Sequence, residues 1–93
     1  MKYIMFRKDS PTLTVYHPVI FPSHLNHVDV ATALMTENGP LSEFSVDSAG
    51  VVALRTDDVR CGGESTTLMV QSNPERDSEI IAMNDYGAGL MSD

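Results

Sequence analysis

The 93-residue chain has one cysteine, no tryptophan, and no lysine or arginine anywhere from Asp9 to Leu54. A single thiol, Cys61, excludes an internal disulfide, whereas a secreted domain of this size is usually stapled by several. No apolar run approaches the ~18 residues of a membrane span. The opening stretch, Lys2-Tyr3-Ile4-Met5-Phe6-Arg7, is too short for the apolar core of a secretion signal. A reducing, cytoplasmic address is therefore expected, with Cys61 acting as a small buried hydrophobe. Aromatic residues are few, 6% of the chain, which suits a small core and leaves little material for a deep substrate cavity.

The scarcity of basic residues is uneven. Lys2, Arg7 and Lys8 are half of all the positive charge, and they lie within the first eight residues. Beyond them, three basic side chains stand against thirteen acidic ones. Such a surface repels phosphate backbones, which argues against direct nucleic-acid binding, and nothing points to a membrane. It suits a partner protein with a basic surface, through charge complementarity and steering. Solubility alone is the plainer use of the same charge.

What is present is globular. Hydrophobic residues are 42% of the chain, and its length fits one domain spanning 1–93. Residues 2–7 read as a strand, Asp9-Ser10-Pro11 as a turn, and 12–21 as a second strand. Pro18 cannot donate to a ladder, so that strand is expected at a sheet edge. Ser23 would cap a helix over 24–35, with Leu25, Val28, Ala31 or Thr32, and Met35 at helical spacing. Asn38-Gly39-Pro40 ends it. Residues 41–54 read as a second hairpin, with Asp47-Ser48-Ala49-Gly50 as its turn. Strand follows at 59–61 and 66–70, interrupted by Gly62-Gly63. A last helix starts at Pro74, capped by Ser72 or Asn73, with Glu75 and Asp77 complementing its dipole. Gly87 would stop it, leaving 88–93 as a flexible tail. The order β-β-α-β-β-β-α, with short connections, predicts an α+β domain with a mainly antiparallel sheet and both helices on one face.

Four constellations bear on chemistry. His17, His24 and His27 fall within eleven residues, and His24 with His27 would share a helix face toward a metal. The usual helical metal pair is spaced by four, and no cysteine pair completes a tetrahedral set, so exposed histidines are the expected role. Cys61-Gly62-Gly63-Glu64-Ser65 has neither a nucleophile elbow nor a phosphate loop, and reads as a hairpin connection. Asp57-Asp58, and Glu75 with Asp77 and Glu79, read as solvated faces rather than an acid/base pair. The fourth is the edge segment Tyr16-His17-Pro18-Val19-Ile20-Phe21-Pro22, where Tyr16, Val19, Ile20 and Phe21 are either core or an interface for a second copy. No catalytic residue, metal or cofactor is expected, and the chain is not read as an enzyme.

The opening Lys-Tyr-Ile-Met-Phe-Arg, then Pro-Val-Ile-Phe-Pro and His27-Val-Asp-Val-Ala31, resembles small uncharacterised proteins carried by bacteriophages and prophages. The resemblance covers about the first third and, more faintly, Gly63 to Ser72, and it brings no catalytic residue with it. It implies a host-cell cytoplasm, where small acidic proteins bind and block host machinery, including defence complexes. The expected function is thus a protein-binding module acting by surface occupation, with Asp29, Glu37, Glu43 and Asp47 as its acidic contacts. A self-associating accessory protein and a histidine-based metal protein are the alternatives.

Overall fold

In the computed structural model, which describes residues 1–83, the first strand is the axis of the molecule. β1 (Lys2–Asp9) lies between β2 (Thr14–Phe21) and β3 (Ser45–Arg55), and β4 (Asp58–Gly62) completes a four-stranded antiparallel sheet in the order β2-β1-β3-β4. A short hairpin, β5 (Glu64–Ser65) and β6 (Val70–Gln71), stands apart from it. The helices are α1 (His27–Met35) and α2 (Pro74–Met83). This is the α+β class expected, with an additional short strand. The stop at Gly87 and the tail at 88–93 lie outside the described residues.

Tyr3, Ile4, Met5 and Phe6 of β1 are completely buried, because the sheet is covered on both faces. Successive strand residues point to opposite sides. Ile4 and Phe6 join Phe21, Ala31 of α1, Leu41 and Ala49 in one core. Tyr3 and Met5 join Val52 and Ile81 of α2 in another. The helices therefore lie on opposite faces, not on one. The signal was the unbroken apolar run at 3–6, since a strand with one wet face would alternate.

β3 departs furthest from expectation. Residues 45–55 form one continuous strand, and Asp47-Ser48-Ala49-Gly50 is not a turn. The β1–β3 register slips between Met5 and Phe6, where Met5 opposes Ser48 and Phe6 opposes Val46. Asp47 is the extra residue of a β-bulge, and the slip turns both Asp47 and Ser48 toward α2. Gly50 is required for space, because a Cβ there would collide with the Gly62 carbonyl of the neighbouring strand.

α1 begins three residues later than its apolar spacing predicts. Asn26, not Ser23, is the cap, and its side chain accepts from the Asp29 N–H. His27 consequently turns inward. Its Nε2 donates to the Gly50 carbonyl at 2.9 Å, and its ring meets Phe21 edge-on. The helix ends as expected, with Asn38 in the left-handed region and the Leu41 N–H closing on the Leu34 carbonyl.

Both sheet edges are blunted. Ser10 and Leu13 exchange both backbone hydrogen bonds across the first turn. Bonded and non-bonded pairs alternate from there, which makes Met5–Pro18 a non-bonded pair with the Pro18 nitrogen directed away from β1, in a residue that is itself fully buried. At the other edge, the Cys61 N–H is taken by the Ser78 hydroxyl of α2 at 2.9 Å. No helix among the described residues is long and apolar enough to cross a membrane.

Candidate functional site

Asp77 is the organising charge on the α2 face, and it is fully buried. Its position follows from helical spacing, since Asp77 lies one turn before buried Ile81 on the same face. Four groups donate to its carboxylate: the Tyr3 hydroxyl at 2.5 Å, the Ser48 hydroxyl at 2.7 Å, the Asn73 N–H at 3.0 Å and the Arg76 guanidinium at 2.9 Å. Arg76 also binds Asp47, whose other oxygen accepts from Arg7 at 2.9 Å. The Arg76 guanidinium lies 4.9 Å above the Tyr16 ring. The network ties α2 to three strands through Tyr3, Ser48, Asp47 and Tyr16. Burial and the neighbouring Asp77 carboxylate push the Tyr3 phenol well above its ordinary range. Burial likewise raises the Cys61 thiol, which keeps it in the unreactive form.

The network corrects two readings. Asp77 is not on a solvated face, and Asp47 is not a free acidic contact, because its side chain is enclosed between two guanidinium groups. Glu43 is exposed but paired with Lys8 at 2.7 Å, which lowers its carboxyl from the usual range. Asp29 and Glu37 are exposed, at the start of α1 and just beyond its end.

The edge residues are divided between the two cores. Phe21 is buried, Val19 packs with it, and Tyr16 and Ile20 pack on the α2 side. β2 is an edge strand as expected, but its apolar side chains are largely consumed by the fold. The histidines are separated by function: His27 is a core hydrogen-bond donor, His17 sits on β2 against Phe44, and His24 is exposed in the loop before α1. Among the described residues no three His, Cys, Asp or Glu side chains are grouped to hold a metal.

Among the described residues, two concavities are each of roughly 400 Å³. One lies between α2 and the β3–β4 turn, and is polar, with Arg55, Asp57, Asp58 and Glu79 on its walls. Ser78 is there too, but its hydroxyl donates to the Pro74 carbonyl and accepts the Cys61 N–H, so it serves the junction of α2 with β4. The other is an apolar groove on the α1 face, walled by Ala31, Thr32, Met35, Thr36, Val46 and Leu68. Sequence reasoning missed it, because the β5–β6 turn that forms its far wall docks on α1 only in three dimensions: Thr67 Oγ1 accepts the Val28 N–H at 3.3 Å.

Comparison with known proteins adds no identity: no family model, no curated protein and no solved structure matches the chain.

Proposed function

We propose that this chain is a small acidic protein-binding module that occupies a basic surface of another protein. One observation supports the reading above the others, namely the fate of the cations. Arg7, Lys8, Arg60 and Arg76 are each held by carboxylates of the chain itself, and the Lys2 ammonium donates to the Leu25 carbonyl at 2.8 Å. Asp29, Glu37, Asp57, Glu64, Glu75 and Glu79 are exposed and have no cationic partner among the described residues. A surface of this kind attracts a basic partner at long range and discriminates by charge more than by buried area. In the setting that the bacteriophage resemblance implies, the partner surface is the nucleic-acid groove of a host defence or regulatory complex.

The test begins with the partner recovered from the native host. Its affinity for the purified chain is then measured at rising salt. Affinity is expected to fall about tenfold or more between roughly 50 and 300 mM salt, as exposed charges are screened. The combined change Asp29→Asn, Glu37→Gln and Glu64→Gln is expected to flatten that dependence. A salt-independent affinity, unchanged in the triple variant, would overturn the electrostatic reading.

A further inference from the structure

We infer that the apolar groove beside α1 is a docking site for a basic amphipathic segment of the partner protein. The inference deepens the acidic-module reading and rests on it.

The groove is built from three pieces of chain: α1, the start of β3, and the β5–β6 turn. Its floor and walls are Ala31, Met35, Val46 and Leu68, with Thr32 and Thr36 along the exposed rim. Next to Leu68 in sequence, at the end of the β5–β6 turn, is Met69. Its side chain is 89% exposed, the most exposed large hydrophobic residue described. Its backbone has a φ of 57°, a left-handed conformation that a turn would ordinarily give to Gly or Asn. Methionine at that position offers nothing to the turn. It does supply an exposed, adaptable apolar side chain one residue from the groove wall at Leu68, and methionine is the side chain suited to moulding around a partner.

Charge selects the occupant. Residues 25–54 and 61–75 contain every piece of the groove, and neither stretch includes a lysine or arginine. Asp29 lies on the same side of α1 as Thr32 and Thr36, and Glu37 follows the helix directly. Glu64 opens the hairpin whose turn carries Leu68 and Met69. Arg7 and Lys8, on the strand that pairs with the start of β3, are already bound by Asp47 and Glu43. An apolar trough bordered by unpaired carboxylates fits a segment with aliphatic side chains on one stripe and Lys or Arg along its flanks, the helix-in-groove mode of recognition. An acidic or purely apolar segment would satisfy only half of the surface.

The test uses the full chain, ¹⁵N-labelled, and a synthetic helix of about 14 residues with Leu at i, i+3, i+4 and i+7 and Lys elsewhere. A scrambled peptide of equal composition is the control. The ordered peptide is expected to shift amide signals at 31–36, 46 and 64–70 and to bind about tenfold more tightly than the scrambled one. Thr32→Arg with Thr36→Arg, which narrows the rim and reverses its charge, is expected to weaken binding about tenfold or more. Met69→Gly, at a site too exposed to disturb folding, is expected to weaken it as well. Asp57→Asn with Glu79→Gln, at the polar concavity, is expected to leave it unchanged. If only the last pair weakens binding, the groove assignment falls while the acidic-module reading stands. If neither peptide binds at about 50 mM salt, where exposed charges are weakly screened, both fall.

Discussion

Tyr3 and Asp77 form a fully enclosed polar contact. The phenol is fully buried and donates to a carboxylate that has three further donors. A hydrogen bond to a charged group contributes about 1.5–3 kcal/mol, and removing one partner leaves the other underserved. Tyr3→Phe is therefore expected to lower stability by about that amount at neutral pH, measured by urea denaturation. The same contact sets an alkaline limit. The folded state raises the phenol's pKa above its ordinary value near 10, so the fold favours the neutral form. The stabilisation is complete below pH 10 and is lost as the pH climbs above it, because the unfolded phenol ionises first. Stability that declines above pH 10 in the native chain should decline less in Tyr3→Phe. Equal alkaline profiles would remove Tyr3 as the cause.

The strands show how edges and bulges decide what the surface offers. Pro18 has no N–H to offer on the side of β2 away from β1, and the residue is fully buried, so the middle of that edge presents neither a donor nor open backbone. β4 is shielded differently, by α2 and the Ser78 hydroxyl. Self-pairing is thus guarded at both ends of the sheet. Pro18→Val, which restores an N–H at a fully buried position, is expected to lower stability by about 1–3 kcal/mol in urea denaturation. A variant as stable as the native chain would show that the restored N–H finds an acceptor. The bulge at Asp47 has the opposite role. It directs Asp47 and Ser48 to the same side of the sheet, where both reach Arg76.

For the whole molecule, charge is the governing quantity. The net charge is −7, and internal pairing uses most of the cations while leaving six exposed carboxylates without a cationic partner among the described residues. Like charges on a compact body repel, and salt screens them over about 10 Å at 0.1 M. The melting temperature is therefore expected to rise by a few degrees between about 10 and 200 mM salt. A decrease would mean that the exposed ion pairs outweigh the repulsion. Those pairs, Lys8–Glu43 and Arg60–Asp58, are solvent-facing and contribute little individually.

The sequence by itself determined the α+β class, the first hairpin, the edge position of Pro18, the stop at Asn38 and the start of α2 at Pro74. Each rests on local chemistry: a missing donor, a fixed φ, a turn residue. It also determined the excess of negative charge. Tertiary structure decided which of those charges remain available. Asp47 and Asp77 resemble their solvated neighbours in composition, and only the bulge in β3 and the packing of α2 on the sheet place them against Arg76. The groove has the same origin. Its walls come from residues 31–36, 46 and 68, and no local pattern links a helix, a strand and a turn that far apart. The extra residue at Asp47 illustrates the limit most directly: Asp-Ser-Ala-Gly has the composition of a turn, and its pairing with β1 makes it a strand.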